Sequence, residues 1–454
     1  MRLGAVFAAL LLLLPAAGST AVSAAVSAKT PAASSAEAKK EKQEKGEAAG
    51  KREKEEDEAS ELTLFVAADL HYISPDLTDG GAYFTRMVEN ADAKFMQHCE
   101  EITECFAAEV IEKHPDGLIL AGDLTFNGAR KSHEDLVEKL LRIEEAGIPV
   151  YVIPGNHDLA NRMAARFHGD DFELVESIGE EEFAEIYGAF GWEEAAVRDE
   201  ASFSYLADFG GGYAGFFADC NVQASPYVLT EETLAFAESA LAEAVGEGKK
   251  IIGISHQSLF PHNILFSDGY AMVRGKQLQK LYEDAGVLLN LSGHMHIQNI
   301  ASASSGLCDV ATSALVTYPF HYGVLTFSGS GISYEARSVS GSEELPLPKE
   351  ILTNGRKFLW DNTCRQVRAG SPDLSEELRL YLAKASTLYA AGRKDMIHWD
   401  QEIDGEDAYE QWQHQMNFFS VYLWSLRDEE PADDTKRTWR YGDGLAGETE
   451  AVVH

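Results

Sequence analysis

Side chains that commonly bind metals follow two apolar runs of this 454-residue sequence, in closely spaced pairs. His294 and His296 come directly after VLLNLSG, and Asp69 and His71 come in the same way after LTLFVAA. Two charged histidines so close would repel each other, whereas neutral imidazole nitrogens and carboxylate oxygens are good ligands for divalent metals. If the backbone is extended there, residues i and i+2 point the same way, so each pair could present two ligands to one centre.

Three more apolar runs end in polar side chains that could bind metal. These side chains are Asp123, then the group Asn156, His157 and Asp158, and finally His256. An isolated His-x-His motif more often arises by chance than as a metal site. An aspartate after a strand is usually a cap or turn residue. Metal-binding residue types at the ends of five strands would arise by chance far less often than at one. The residues together therefore predict a metal site. Gly122, Gly155 and Gly293 precede three of the groups and would let the backbone approach where a side chain would obstruct.

The runs that precede these residues have the length of strands and are apolar throughout, as is typical of strands covered on both faces. Between these runs lie two segments with the apolar spacing of a helix, residues 93–113 and 132–146. This alternation indicates an α/β domain with parallel strands, in which ligands bind at the carboxyl ends of the strands. We therefore expect the polar residues to converge on one rim. Shorter alternating runs at 309–317 and 322–335 favour antiparallel strands.

The motifs DLH, GD, GNHD, SH and GHMH, in this order, resemble the signature of calcineurin-like metallophosphoesterases. The match spans roughly residues 61–340 of the chain. The resemblance implies an α/β fold, a metallophosphoesterase β-sandwich of mixed sheets flanked by helices, with a dinuclear metal centre. The sequence beyond it predicts a small all-α C-terminal domain.

The resemblance also implies a ligand set for two metal ions. The first ion is held by Asp69, His71, Asp123 and His296. The second ion shares Asp123 and is also held by Asn156, His256 and His294. A set of oxygen and imidazole donors without thiolate suits iron, manganese or zinc and does not choose among them.

The chemistry of such a centre is phosphate-ester hydrolysis. Two cations ~3.5–4 Å apart can bridge and deprotonate a water, which then attacks phosphorus in line, and can neutralise the phosphate oxygens. The leaving alkoxide needs a proton, and His157, which adjoins Asn156 but has no metal in the resemblance, is the expected catalytic acid. Asp158 could orient His157 or only cap the loop, and the residues leave both alternatives open.

The substrate class is less determined. The stretch GDLTFNG lacks the extension typical of protein Ser/Thr phosphatases and is more similar to class III cyclic-nucleotide phosphodiesterases. The string from DLHYISPDL to SGHMH resembles exported Gram-positive members with a helical C-terminal domain. We expect a phosphodiesterase of the cyclic-nucleotide type that acts on a small phosphate ester such as a nucleotide. An exported phosphomonoesterase of broad specificity and a non-catalytic surface binding protein are the alternatives.

Composition and charge suggest how the chain is organised. Its formal charge is −36, so binding to nucleic-acid polymers is not expected, and an anionic substrate requires local positive charge. A short apolar segment after Arg2 is typical of a signal peptide and predicts a secreted or cell-surface protein without a stable transmembrane span after cleavage. An uncleaved membrane anchor is the alternative. The predicted segments are a signal peptide at 1–28, a disordered charged linker at 29–60, a catalytic domain at 61–342, a helical domain at 343–430 and a disordered tail at 431–454.

Two regions outside the motifs are ambiguous. An apolar stripe at helical spacing predicts a packed helix whose core positions are Tyr409, Trp412, Met416, Phe419, Leu423 and Leu426. His262 and Asn263, and the segment Tyr318–Tyr322, could line the pocket or only pack in loops. The five scattered cysteines do not form a disulfide framework and are expected to be buried thiols.

Overall fold

The computed structural model describes residues 61–441. The predicted signal peptide and linker, and the last part of the predicted tail, lie outside the described residues. The strands are β1 Leu62–Ala67, β2 Gly117–Ala121, β3 Val150–Ile153, β4 Ala165–His168, β5 Asp171–Leu174, β6 Val197–Arg198, β7 Tyr205–Gly210, β8 Tyr213–Ala218, β9 Lys250–Ser255, β10 Leu289–Ser292, β11 Asn299–Ser302, β12 Cys308–Ala311, β13 His321–Ser328, β14 Gly331–Ser338, β15 Glu402–Ile403, β16 Glu406–Asp407 and β17 Lys436–Arg440. The α-helices are α1 Ala82–Glu89, α2 Cys99–Lys113, α3 Arg130–Glu145, α4 Glu180–Tyr187, α5 Glu231–Gly246, α6 Gly275–Asp284, α7 Lys349–Gly370, α8 Glu376–Ala390, α9 Ala408–Gln413 and α10 Phe418–Asp428.

Two mixed sheets form the centre of the fold. The first has six strands in the order β17-β14-β13-β1-β2-β3, and the second has seven in the order β11-β12-β10-β9-β8-β7-β6. Strands β1, β2 and β3 are parallel, as are β8, β9, β10 and β12, whereas β13, β14 and β17 are antiparallel. The predicted α/β class with mixed sheets flanked by helices is confirmed.

The sheets pack face to face, and helices cover their outer faces. Val66 of the first sheet and Ile252 and Leu291 of the second belong to one buried cluster between the sheets. Alternate residues such as Leu120 turn outward and pack with Phe106 of α2 and its neighbours. Because both faces are covered, the strands carry apolar residues at successive positions, which explains the uninterrupted apolar runs.

The C-terminal region after residue 348 is mainly helical, as the sequence predicted, but its apolar stripe is interrupted. Met416 is 89% exposed, because α9 ends at Gln413 and a new helix begins after Asn417. The Asn417 side chain accepts a hydrogen bond from the Ser420 backbone, which caps α10. The stripe therefore belongs to two short helices, and Met416 lies in the turn between them. The exact boundary with the catalytic domain stays a prediction.

The disordered tail predicted from residue 431 is partly wrong. Residues Lys436–Arg440 form β17, which pairs antiparallel with β14 at the edge of the first sheet. Trp439 is buried in the core between the sheets. An edge strand buries only one face, so a single large apolar residue among charged ones suffices, and composition alone did not reveal it.

Within residues 61–441, none of the helices combines the length and the apolar character that crossing a bilayer requires.

Candidate metal centre

The polar residues predicted at strand ends converge in two clusters. One consists of Asp69, His71, Asp123 and His296, and the other of Asp123, His256 and His294. In each cluster one ligand atom per residue lies within 4.8 Å of the ligand atoms of the others. The residues come from β1 and β2 of the first sheet and from β9 and β10 of the second, so the site lies where the strand ends of both sheets meet.

The first cluster brings two imidazoles against two carboxylates. The Nε2 atoms of His71 and His296 are 2.9 Å apart, and His296 Nε2 is 3.2 Å from Asp69 Oδ1. Nε2 of His71 lies 3.8 Å from Oδ2 of Asp123. Four donor atoms therefore point at one small volume.

The second cluster is built on the other oxygen of Asp123. His256 Nε2 lies 3.3 Å from Asp123 Oδ1 and 3.1 Å from the side-chain oxygen of Asn156. The His256 Nδ1–H donates to the carbonyl of Ala121 at 2.8 Å, which leaves Nε2 free to act as a ligand. His294 is held in a similar way by the carbonyl of Gly269, at 2.7 Å from Nε2.

The donor set fits metal ions. Asp69 Oδ1 is buried and faces His296 Nε2 at 3.2 Å, but it forms no hydrogen bond of good geometry among the described residues, and a buried carboxylate oxygen is costly to leave so poorly paired. Two imidazole nitrogens that face each other at 2.9 Å can form a hydrogen bond only if one of them carries a proton. A cation between them and Asp69 would satisfy all three atoms, with the oxygen and nitrogen ligands that iron, manganese and zinc accept.

The backbone at the ligands is not extended, contrary to the reasoning from the i, i+2 spacing. Asp69, His71, His294 and His296 have positive φ values between 42° and 64°, as does Asp123 at 48°. The two histidines of the HxH pair turn to different clusters, His294 to the second and His296 to the first, whereas Asp69 and His71 both belong to the first. Left-handed backbone is unfavourable for such residues and is concentrated at functional sites, where the surrounding structure enforces it.

The three glycines before the ligand groups allow close approach, as predicted. A Cβ at Gly155 would lie 2.2 Å from Asp123 Oδ1, and one at Gly122 would lie 2.6 Å from His256 Nδ1. A Cβ at Gly293 would lie 2.6 Å from an oxygen of Asp69. Any side chain at these positions would displace a ligand.

The carboxylates control the protonation of the imidazoles. Burial would lower the pKa of His296, but Asp69 and Asp92 outweigh it and raise the pKa to about 9. Burial acts in the same way on His256, and Asp123 raises its pKa to about 9. In His294, burial and the neighbouring His256 lower the pKa to about 4. The field of the buried carboxylates therefore favours a cation at the site, whether a proton or a metal ion.

His157 and Asp158 do not act as a pair. The Asp158 carboxylate accepts hydrogen bonds from the backbone amides of Leu124, Thr125 and Gly155, at 2.8–3.1 Å. Nδ1 of His157 instead contacts the carbonyl of Phe126 at 2.6 Å. Of the two alternatives for Asp158, these hydrogen bonds are those of the loop cap, and its assignment as a catalytic residue stays a prediction. Its position stabilises the loops that carry Asp123 and Asn156.

The His157 ring lies beside the clusters and faces the cleft. Its Nε2 is 3.9 Å from Asp123 Oδ2, and its backbone amide donates to the other oxygen of Asp123 at 2.8 Å. Burial lowers the pKa of His157, Asp123 raises it and Lys94 lowers it, with a net decrease. Nδ1–H is directed to a carbonyl, so Nε2 is the atom that can exchange a proton with a substrate.

A cleft of about 810 Å³ opens above the metal centre. Aromatic side chains form part of its wall, among them Tyr83, Phe126, Phe172 and Tyr227. Sequence reasoning missed Asp92 and Lys94, which also line this cleft. They follow no strand and match no motif, so the sequence held no signal for them.

The two ambiguous loop regions pack elsewhere. His262 Nδ1 contacts Asn299 at 2.9 Å, and Asn263 donates to Ser425 at 3.1 Å, which joins this loop to α10. Neither residue lines the cleft, and neither does any residue of Tyr318–Tyr322. For both regions the packing alternative is the observed one. Cys99, Cys105, Cys220 and Cys308 are buried free thiols as expected, whereas Cys364 is half-buried.

Comparison with known proteins identifies the motif-bearing part of the chain. The family model of the calcineurin-like phosphoesterases matches residues 62–298, which is more than half of the chain. No curated protein was found to match the sequence.

Several solved structures are similar to the chain. A dimetal phosphatase from Danio rerio shares 12% identity at a TM-score of 0.46, over 61% of this chain and 96% of that one. A purple acid phosphatase from yellow lupin (Lupinus luteus) shares 18% identity at a TM-score of 0.43, over 62% of this chain and 52% of that one. A 5′-nucleotidase from Candida albicans shares 10% identity at a TM-score of 0.33, over 66% of this chain and 58% of that one.

Proposed function

Because the chain belongs to the calcineurin-like phosphoesterase family, we propose that it is a metal-dependent hydrolase of small phosphate esters. The observation that carries this proposal is the pair of donor clusters that share Asp123 beneath an open cleft. Asp69, His71, Asp123 and His296 would hold one metal ion, and Asp123, Asn156, His256 and His294 would hold the other. The complete donor set argues against a protein that only binds a partner.

The other catalytic roles in this proposal belong to side chains around the two metal sites. When bound, two metal ions would supply positive charge for the phosphate oxygens and lower the pKa of a water. The Phe126 carbonyl orients the His157 ring, so that Nε2 can give a proton to the departing oxygen of the ester. The Asp158 carboxylate keeps the loops around Asp123 and Asn156 in place through backbone amides.

We propose a phosphodiesterase of the cyclic-nucleotide type as the first candidate for the specific activity. The motif GDLTFNG resembles that class, and the aromatic wall of the cleft offers rings on which a nucleobase can stack. A phosphomonoesterase is the second candidate. It is favoured by the ammonium group of Lys94 in the wall of the cleft, which suits a substrate with two negative charges.

The test is a metal-reconstitution experiment with a panel of substrates. Metal-stripped protein receives manganese, iron or zinc and is assayed with 2′,3′- and 3′,5′-cyclic nucleotides, bis(p-nitrophenyl) phosphate and p-nitrophenyl phosphate. We expect no hydrolysis without metal and recovery with at least one ion. Full activity of the stripped protein would refute the proposal, and the preferred ester distinguishes the two candidates.

We also propose that the protein is exported, with membrane anchoring by an uncleaved N-terminal segment as the alternative. The support is the apolar segment at residues 3–14, which follows a single arginine and precedes small residues. Fractionation of the native host with N-terminal sequencing of the recovered protein tests this. A full-length chain in the cytosol would contradict export.

A further inference from the structure

Lys94 is a buried cation in the wall of the cleft. It is only 5% exposed, and Nζ lies 3.1 Å from Asp92 Oδ2. The same Asp92 oxygen lies 3.3 Å from Nδ1 of His296, a residue of the first donor cluster. A chain of three side chains therefore joins the ammonium group to the metal centre.

This ammonium group has an exceptional position. Apart from the histidines of the site, Lys94 and Arg162 are the basic residues that line the cleft, and Arg162 is exposed. Burying an ammonium group costs free energy that a single ion pair offsets incompletely, since both charges lose their hydration. In the described part of the chain, Asp92 is the one carboxylate within ion-pair distance of Lys94, and Asp92 is shared with His296. An ammonium group has three N–H donors, so Lys94 retains capacity for an anion.

The neighbours of Lys94 direct it to the reacting end of the cleft. Its Nζ lies 5.7 Å from the centre of the Phe126 ring, which is another part of the wall. The carbonyl of Phe126 holds the ring of His157. Lys94 is therefore linked through Asp92 to His296 of the first cluster and lies beside Phe126, whose carbonyl holds the proposed acid.

We propose that Lys94 binds a phosphate oxygen of the substrate and favours phosphomonoester dianions over diester monoanions. The inference rests on the proposed hydrolysis of phosphate esters and favours the second candidate activity, a phosphomonoesterase, over the first. A monoester carries close to two negative charges above pH 7, since its second pKa is about 6, whereas a diester carries one. A charge-assisted hydrogen bond in a partly dehydrated site is stronger for the more highly charged ligand. The competing role is that of a counter-ion, in which Lys94 only neutralises Asp92.

The experiment compares two substrates with the same leaving group. We measure kcat/KM of the metal-loaded wild type and of Lys94→Met at pH 8 with p-nitrophenyl phosphate and with bis(p-nitrophenyl) phosphate. We expect a loss of about 10- to 100-fold for the monoester, as for the loss of a hydrogen bond to a charged group, and less than about threefold for the diester. Equal losses on both substrates would refute the proposal and leave the counter-ion role.

Two further variants separate substrate binding from folding. Lys394 is a buried lysine of similar exposure, paired with Glu429 and Asp434 outside the cleft, so Lys394→Met is the matched control. It should leave the ratio of the two kcat/KM values unchanged. The double variant Asp92→Asn with Lys94→Met removes both charges and leaves no unpaired carboxylate. It should show the same fall in that ratio even if Lys94→Met alone does not fold.

A binding measurement distinguishes failure of this inference from failure of the proposed function. Calorimetry with inorganic phosphate and metal-loaded protein, with metal content determined in parallel, requires no turnover. We expect weaker phosphate binding in Lys94→Met at unchanged metal content. If the wild type hydrolyses neither ester, the proposed function fails, and the phosphate affinities still decide the role of Lys94. Equal affinities of wild type and variant would refute it.

Discussion

At the scale of single residues, Asp123 has the most demanding position, because both donor clusters include it. We expect Asp123→Ala to lose both metal ions, whereas His294→Ala should lose mainly the second, since His294 belongs to one cluster only. Elemental analysis of the purified variants measures the number of metals per chain. Two metals per chain in Asp123→Ala would contradict the shared role.

His157 has a different predicted effect, because it lies beside the clusters without belonging to either. We expect His157→Ala to keep its metals and to lose about 10²–10⁴-fold in rate on an ester with an alkoxide leaving group, which is the usual value of general acid catalysis. The loss on a p-nitrophenyl ester should be far smaller, because nitrophenolate departs without a proton. An equal loss on both esters would assign His157 to phosphate positioning.

Sequence predicted the chemical identity of the donors, but it did not predict how the backbone presents them. Parallel strands bring their carboxyl ends together, so apolar runs followed by Asp, Asn and His were sufficient to select the residues. The left-handed φ values of Asp69 and His296 depend on contacts between distant loops, and local spacing suggested an extended chain. Asp92 and Lys94 enter the cleft through tertiary packing alone, which no motif records.

At the scale of elements, helix α7 supports the segment that carries Asp92 and Lys94. The Asn362 side chain is buried and donates to the carbonyls of Glu89 and Ala91, at 3.0 and 3.2 Å. Gln366, one turn later, also donates to Ala91. Helix α7 thus fixes the backbone immediately before Asp92. Through Asp92, which contacts His296, the helical region is linked to the metal centre.

We therefore expect Asn362→Ala to lower the free energy of unfolding by about 1 kcal/mol, since it removes two hydrogen bonds from a buried side chain, while the carbonyls of Glu89 and Ala91 still accept from Arg365 and Gln366. It should also weaken metal binding, because Asp92 would hold His296 less firmly. Chemical denaturation and metal titration measure the two effects. Thr353→Ala on the same helix is the control, as its exposed hydroxyl bonds only to the carbonyl of Lys349. Unaltered metal affinity in Asn362→Ala would show that α7 does not act on the site.

Elements were predictable where hydrophobic periodicity was uninterrupted. Strands β1 and β10 lie within the apolar runs LTLFVAA and VLLNLSG, because strands covered on both faces carry apolar residues at successive positions. The hairpin of β4 and β5 was not predicted, because its strands ARFH and DFEL are only four residues long and most of their residues are exposed, although apolar and polar residues alternate in both. The break at Met416 was missed because a capping side chain, Asn417, outweighed a continuous stripe.

At the scale of the whole molecule, the response of stability to acid combines opposing contributions. The formal charge of −36 means that protonation of exposed carboxylates relieves repulsion as the pH falls. Buried neutral histidines act in the opposite sense. His321, at the start of β13, is 7% exposed, and burial lowers its pKa to about 4. Its Nδ1 has no hydrogen-bond partner among the described residues, so a proton on that atom would have no acceptor there.

The sign of the His321 contribution follows from the two pKa values. An unfolded histidine titrates near pH 6.5, so below that pH the unfolded chain binds a proton that the folded chain does not accept until about pH 4. The contribution to stability is complete above pH 6.5 and is lost as the pH falls toward 4. Between pH 7 and pH 5 the loss amounts to about 2 kcal/mol. His321→Asn should remove this part of the pH dependence, whatever its effect on stability at pH 7.

Urea denaturation of the metal-saturated full chain at pH 7 and pH 5 measures the change for the wild type and for His321→Asn. Titration of the metal ligands then affects both proteins alike and cancels in the comparison. His414→Asn is the matched control, because His414 is exposed and its removal should leave the loss between the two pH values as in the wild type. If His321→Asn loses as much stability on acidification as the wild type does, His321 is already protonated in the folded state. In that case a water or a polar group at the start of β13 would have to solvate the charged His321 ring.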